Sequence, residues 1–229
     1  EQADLLEEKY KGETQQVPHF AVSCQHYSFA VNAFVDVIRE FNAFRYDFTL
    51  REEQTHEIIE DVSRMKSELG IIYLSKRNHE VIEKMLRSQD LLFEPLFTAE
   101  PHVFISRDHP LAARARITLD ELRPYPYLVF EQGERNSFYF SEELLSMLDM
   151  PKTIQVRDRA TLFSLVIGLN GFTVSSGIID QKLNSPSIIA RSLDMDGSMR
   201  IGLIRKKNVV LSRYAVSYVA ALKKHLSID

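Results

Sequence analysis

Between Val17 and Leu86 the chain switches repeatedly between a period-2 and a period-3.6 apolar pattern, which confines it to a short list of folds. Val17 to Cys24 reads as a strand, followed by a helix from about Ser28 to Phe41 with Val31, Phe34, Val35 and Ile38 on one face. Tyr46, Phe48 and Leu50 alternate with Asp47, Thr49 and Arg51, the mark of a half-buried strand. A helix from Thr55 to Lys66 turns Ile58, Val62 and Met65 inward. Leu69 to Leu74 is nearly all apolar, as a central parallel strand covered on both faces must be. Asn78 is placed to cap the next helix, which carries Val81, Ile82, Met85 and Leu86. This succession implies right-handed crossovers onto a mostly parallel sheet with helices on its faces.

After Leu92 the rhythm changes. Strands near 91–97 and 102–106 lead into the corner HVFISRDHPLAARARITLDELRPYPYLVF, His102 to Phe130. His109-Pro110 stops the first strand of that corner, because proline lacks a donor and pushes its predecessor toward extended geometry. Thr118 and Glu121 have the spacing of a capping box, Arg123-Pro124-Tyr125-Pro126 ends the short helix, and Tyr127 to Phe130 is a strand. A helix from Ser141 to Leu148, a strand near Ile154, a helix from Ala160 to Leu169 and a strand from Phe172 to Ser175 complete a second small α/β lobe. Ile201 to Ile204 is a further strand, and Ser212 caps a final helix bearing Ala215, Val219, Leu222 and Leu226.

The chain has 229 residues and a net charge of −4, with its basic residues scattered. Nucleic-acid binding draws its affinity from a positive patch, so this chain is not expected to grip DNA by itself. No apolar run reaches membrane-spanning length. A single cysteine, Cys24, excludes an internal disulfide and suits a reducing compartment, so a cytoplasmic location is expected. Residues 1–12 read as the end of a charged helix closed by Gly12, continuing from an upstream element or forming a frayed terminus.

Four ordered blocks resemble the effector-binding domains of LysR-type transcriptional regulators. ISRDHPLAARARITLDELRPYPYLVF resembles that family's "HPLA … ITLDEL … P" passage. LREEQTHEIIEDVSRMKSELGI resembles its second strand, second helix and third strand; IGLNGFTVSSGII sits at its glycine-rich helix-to-strand turn; GLIRKKNVVLSRYAVSYVAAL matches its closing strand and last helix. Glu68 stands where the family more often has aspartate, and Ser175-Ser176-Gly177 replaces the usual proline of the turn after Phe172, so no ligand contact is carried over from that turn. FEQGERNSFYFSEE together with SCQHYSFAV resembles a Firmicute-type subgroup linked to methionine and sulfur amino-acid metabolism.

The resemblance implies an α/β, two-lobed fold like that of type 2 periplasmic binding proteins, crossed twice by the chain. Lobe I would comprise about 13–97 and 204–229, lobe II about 98–203, and residues 1–12 the end of a linker helix. A winged helix-turn-helix would precede residue 1, and DNA would be touched only through it. The family also implies a homodimer or homotetramer, with dimerisation through the first helix and Phe34 and Ile38 partly exposed.

In open α/β sheets ligands lie beyond the carboxyl ends of the strands, at helix N-termini. The first such turn is Gln25-His26-Tyr27-Ser28, where Ser28 serves equally well as a helix cap. The second is Gln54-Thr55, where the family frequently places a ligand-contacting hydroxyl and where Thr55 is equally an N-cap. From lobe II, Glu131, Gln132 and Gly133 follow Phe130 at a strand end, with a plain surface loop as the alternative. Asp158, with Arg159 and Thr161, precedes a helix and suits a structural cap or ion pair better than a ligand. Phe138-Tyr139-Phe140 could line a ligand site but suits core or interface better. His26, Arg51, Arg135 and Arg159 lean the cleft toward an amino acid or a small anion.

The expected function is therefore a ligand-sensing regulatory domain, with a free-standing solute-binding protein of the same fold as the alternative. An enzyme is disfavoured: the seven histidines show no metal-ligand spacing, Gly-x-Ser-x-Gly is absent, and no Walker or dinucleotide glycine pattern occurs. Cys24, in mid-strand, reads as a small buried apolar residue rather than a nucleophile. No cofactor and no metal is expected.

Overall fold

The computed structural model describes residues 17–42, 45–133, 139–145, 149–179 and 186–228. The expected linker helix over residues 1–12 and Arg135 lie outside the described residues.

Two sheets organise the chain. The first contains strands β1 (His19–Cys24), β2 (Asp47–Glu52), β3 (Leu69–Leu74), β4 (Leu91–Ala99) and β11 (Met199–Lys206), in the order β2-β1-β3-β11-β4. β1 pairs in parallel with β2 and β3, while β11 runs antiparallel to both β3 and β4. Four strands thus point one way and the inserted β11 the other. Every residue of β3 is buried, as its unbroken apolar run requires. Helices α1 (Ser28–Phe41), α2 (Thr55–Ser63) and α3 (His79–Ser88) make the crossovers. The second sheet has the order β6-β10-β5-β9, from β5 (His102–Ser106), β6 (Arg116–Thr118), β9 (Thr173–Ser175) and β10 (Ile188–Asp194). β7 (Tyr127–Phe130) and β8 (Thr153–Val156) form a parallel pair beside it, with α4 (Leu119–Leu122) and α5 (Arg159–Leu169). The last helix, α6 (Arg213–Leu226), returns to pack beside α1.

In the corner the capping box forms as the sequence reads, whereas β5 ends at Ser106, ahead of His109-Pro110, and Arg116–Thr118 adds a strand. Glu121 N–H donates to the Thr118 hydroxyl at 3.3 Å and Thr118 N–H donates to the Glu121 carboxylate at 2.9 Å, closing the capping box. His109, 3% exposed, accepts the Leu111 N–H on Nδ1 at 3.0 Å, which leaves Nε2–H to donate to the Asn170 carbonyl at 3.1 Å. Glu68, the acidic residue before β3, accepts both the N–H and the hydroxyl of Ser212, so it ties β3 to the start of α6.

Several expectations are corrected. The buried face of α1 is Phe29, Ala30, Ala33, Phe34 and Val37; Val31, Val35 and Ile38 are only partly covered, and Phe34 is buried rather than partly exposed. The helix packs on the sheet and on α6 together, so small residues rather than branched ones occupy its closest approaches. α2 ends at Ser63, and Met65 turns outward, 49% exposed, with φ +57°. Ser28 is the first residue of α1 and supplies no side-chain cap. Asn78 accepts from Ser75 N–H at 2.7 Å, closing the preceding turn rather than capping α3. The helix expected over Ser141 to Leu148 is a run of bends and turns through its described part, 141–145; 146–148 lie outside the described residues. Phe140 is buried among Ile58, Val62 and Ile72 of the first lobe, whereas Leu145 is buried with Val103 and Tyr127 of the second. A segment anchored in two cores spans the gap instead of coiling. Strands β6 and β10 had no expected counterpart.

Candidate functional site

The β1–α1 turn and the β2–α2 turn meet at the interlobe cleft. Gln25, 1% exposed, donates through Nε2 to the Thr55 hydroxyl at 2.7 Å. Its Oε1 accepts from Tyr73 N–H at 3.0 Å and from the Tyr27 hydroxyl at 3.2 Å. Thr55 then donates its hydroxyl to the Phe140 carbonyl at 2.8 Å. Thr55 is therefore not a plain N-cap; Gln54 occupies that position. Gln54 reaches across to the Glu131 carbonyl at 3.1 Å. A Cβ on Gly133 would come within 2.8 Å of the Gln54 amide oxygen, so that glycine permits a close approach between the lobes.

His26 is the most heavily engaged residue of the cleft. Its ring stacks on Phe130 with centroids 3.6 Å apart and planes at 4°. Nδ1 lies 2.9 Å from the Glu142 carboxylate, Nε2 lies 3.2 Å from the Arg157 carbonyl, and the backbone N–H donates to Glu142 at 3.1 Å. Both ring nitrogens face acceptors, the arrangement an imidazolium satisfies. Burial alone would lower its pKa, but the attraction of Glu142 and the hydrogen bond to it hold the ring above its usual range. Glu142 thus delivers a carboxylate to the start of α1, where an external anion would be drawn.

The neighbouring Glu143, 2% exposed, accepts from Phe130 N–H at 2.9 Å and from the Ser141 hydroxyl at 3.0 Å. Burial, then repulsion from Glu142, pushes its carboxyl up to about 8. Of the other cations expected to attract an anion, the two among the described residues, Arg51 and Arg159, are matched by carboxylates as well. Arg159 pairs with Glu52 at 2.8 Å across the lobes, and Arg51 lies 3.8 Å from Asp61 and 3.9 Å from Glu53.

Nine of the ten sequence-derived site residues gather around these two turns and the end of β7: Gln25, His26, Tyr27, Ser28, Gln54, Thr55, Glu131, Gln132 and Gly133. Asp158, exposed, has its carboxylate accepting Thr161 N–H at 2.8 Å as the cap of α5, close enough for its charge to act on His26 and Glu52. Glu142, Glu143 and Tyr73 were not singled out from sequence. The available signal was a pair of adjacent carboxylates directly after an aromatic run, FYFSEE, which is an odd composition for a helix start. Cys24 is fully buried and its thiol is pushed up, first by burial and then by Glu52, which fits a packing role.

The free volume touches only part of this set: His26, Gln54, Glu131 and Gly133 border an open groove, and none of the nine borders the cavity beside Glu143. A space of about 30 Å³ separates His26 and Phe130 from Phe163 and Thr173, whereas a cavity of about 220 Å³ lies on the other side of Glu143, between Tyr73 and Met195. Outside, an open groove of about 490 Å³ is bordered by Glu52, Glu53, Glu57 and Glu131 with His26 and Arg157. No helix among the described residues is long and apolar enough to cross a membrane.

Comparison with known proteins places this architecture. The LysR substrate binding domain family model matches residues 21–227. The HTH-type transcriptional regulator SsuR of Burkholderia cenocepacia is 22% identical over 219 residues, covering 93% of this chain and 67% of that protein. Among solved structures, the effector binding domain of QuiR in complex with shikimate superposes with a TM-score of 0.60 at 19% identity, covering 93% of this chain and 99% of that one. The reduced OxyR regulatory domain of Pseudomonas aeruginosa gives 0.63 at 16% identity, covering 94% of this chain and 98% of that one. At such identities the superpositions speak for the two-lobed fold, and the family model speaks for descent. The chain belongs to the LysR substrate binding domain family and is the effector-binding domain of a LysR-type transcriptional regulator.

Proposed function

We propose that this domain senses a small metabolite held between its lobes, through Gln25, His26, Tyr27, Ser28, Gln54, Thr55 and the Glu131–Gly133 strand end. The occupied cleft sets the arrangement of a homodimer or homotetramer that grips DNA through a winged helix-turn-helix ahead of residue 1. Asp158 belongs to the cap of α5 rather than to this set. The observation that carries the reading is the concentration of lobe-to-lobe bonds at the strand ends: Gln54 to Glu131, His26 to Glu142 and Arg159 to Glu52. Every one of them changes if the lobes move, so a ligand lodged there has differential affinity for the two arrangements. No catalytic role is assigned to these groups.

A thermal-shift screen of the chain against amino acids, thioethers and small carboxylates tests the site, because a ligand that binds only the folded state raises the melting temperature. The shift is expected to disappear in Gln25→Ala combined with Thr55→Ala. A shift of unchanged size in that double variant would put the ligand elsewhere. Regulatory function is tested separately, by an effector-dependent change in operator binding of the full-length protein.

A further inference from the structure

The interlobe space is unevenly charged in a way its own side chains do not resolve. Glu142 and Glu143 are both buried, 6% and 2% exposed, and among the described residues the one cation in contact with them is His26, which is held by Glu142. Among the described residues the Glu143 carboxyl accepts hydrogen bonds only from the neutral donors Phe130 N–H and the Ser141 hydroxyl. Beside this pair, Gln132 is 3% exposed and its amide nitrogen lies 3.5 Å from Glu142, yet its carbonyl oxygen has no hydrogen-bond partner among the described residues. The hydroxyl of Tyr127, 2% exposed, is likewise unpartnered among the described residues, and it feels the charge of Glu143. A buried polar group left unmatched costs about 1–3 kcal/mol, so such orphans mark where a partner belongs.

Glu143 also borders the cavity of about 220 Å³. That is well above the room one water takes, about 30 Å³. It is below the range of drug-sized sites, about 300–1,000 Å³. The same cavity is bordered by Lys76, Arg77 and Asp196, all exposed, and by Ser75 and Asn78 between β3 and α3. Its wall therefore carries one buried carboxyl, Glu143, together with two solvated cations and the exposed carboxylate of Asp196.

Resting on the reading of the cleft as the effector site, we infer that its ligand is a small zwitterion of the α-amino-acid type, seated in the cavity that Tyr73 links to the Gln25 turn rather than among the nine residues themselves, with its ammonium group against Glu143 and its carboxylate toward Lys76 and Arg77. A simple anion finds the start of α1 already taken by Glu142, and it would meet Glu143 with like charge once that group ionises. An ammonium group supplies the donor and the charge that Glu143 lacks. Because the empty cleft holds Glu143 protonated near neutrality, the ammonium's arrival drives that proton out to solvent.

The test uses the 229-residue chain and the proteinogenic L-amino acids singly. Each binder is compared with the carboxylic acid lacking its amine and with the amine lacking its carboxylate. At least one amino acid is expected to raise the melting temperature at pH 7, and loss of the amine is expected to cost at least tenfold in affinity. Calorimetry in two buffers of different ionisation enthalpy should report net proton release on binding. Glu143→Gln should bind at least tenfold more weakly while melting no lower than the parent, and Lys76→Ala with Arg77→Ala, on the exposed rim, should weaken the amino acid but not the amine. The inference is overturned if the carboxylic acid binds as tightly as the amino acid, if Glu143→Gln binds normally, or if no amino acid binds. Should another metabolite bind instead, and lose its shift in the Gln25 and Thr55 double variant, the cleft reading survives and only the ligand class falls.

Discussion

Glu143→Gln should make the domain more stable, and by an amount that grows with pH. The carboxyl is 2% exposed and sits at about 8, against an ordinary value of 4.5, because burial and Glu142 disfavour its ionised form. A group raised in this way keeps its proton in the folded state after the unfolded chain has released it. The folded state then binds more protons, so stability falls as pH rises from 4.5 and levels off above about 8. At about 1.4 kcal/mol per pH unit the full loss is on the order of 5 kcal/mol. Local relaxation and water entry lower that ceiling. Glutamine keeps an acceptor for Phe130 N–H, fills the same volume and has no proton to lose. Urea unfolding followed by circular dichroism at pH 5, 6, 7 and 8 reads the difference, with an unchanged slope against urea as the check that the unfolded state is the same. The other titrating groups are common to both proteins and cancel in the comparison. The variant's advantage should grow by at least about 2 kcal/mol between pH 5 and pH 8. Two parallel stability profiles would mean that Glu143 is ionised or solvated in the fold, and the argument from its burial would fail.

His26 titrates in the opposite sense. Its pKa is raised in the fold, so its contribution is complete below the ordinary value of 6.5 and is lost as pH climbs through the folded value. His26→Ala leaves Glu142 buried and should cost about 3 kcal/mol near pH 6 but distinctly less near pH 9; equal losses at the two pH values would contradict the imidazolium assignment. Thr55→Val removes the hydroxyl between Gln25 and the Phe140 carbonyl and should cost about 1–3 kcal/mol in chemical denaturation, since both partners stay buried. Gly70→Ala puts a Cβ 2.6 Å from Ile204 Cγ1 and 2.8 Å from Ile58 Cγ2 in the middle of β3; a loss of about 1–3 kcal/mol is expected, and a neutral result would show that those two side chains repack freely.

What the sequence made legible is what short-range chemistry decides. The capping box of Thr118 and Glu121 and the unbroken apolar run of Leu69 to Leu74 depend on neighbours within a few residues, and both appear in the structure, whereas β5 stops at Ser106 before His109-Pro110 is reached. The β1–α1 and β2–α2 turns could be placed because strand ends and helix starts are local too. The failures share one cause. Glu142 is positioned by His26, 116 residues away, and Phe140 by helices on the far side of the molecule, so a helical reading of 141–148 had nothing local to contradict it. The α1 face was misjudged because branched residues were favoured over Ala30 and Ala33, whose small size is what lets the helix approach both its sheet and α6.

The segment from Phe140 to Leu145 changes what an effector must do in this domain. In a cleft held open by solvent, a ligand has to supply the free energy that brings the lobes together. Here the lobes are already joined, with Phe140 anchored in one core, Leu145 in the other, and Glu142 on His26 between them. A ligand that merely added closing contacts would favour an arrangement already populated and would carry little signal. Information can enter only through a group whose state differs between the empty and the filled cleft. On the inference drawn above, Glu143 is such a group: burial favours its protonated form, it accepts Phe130 N–H, and it would ionise on the arrival of the proposed ammonium. Its backbone partner lies at the end of β7, whose other end joins β9 through the bridge from Tyr127 to Phe172, so a change at the carboxyl is passed directly into the frame of the second lobe.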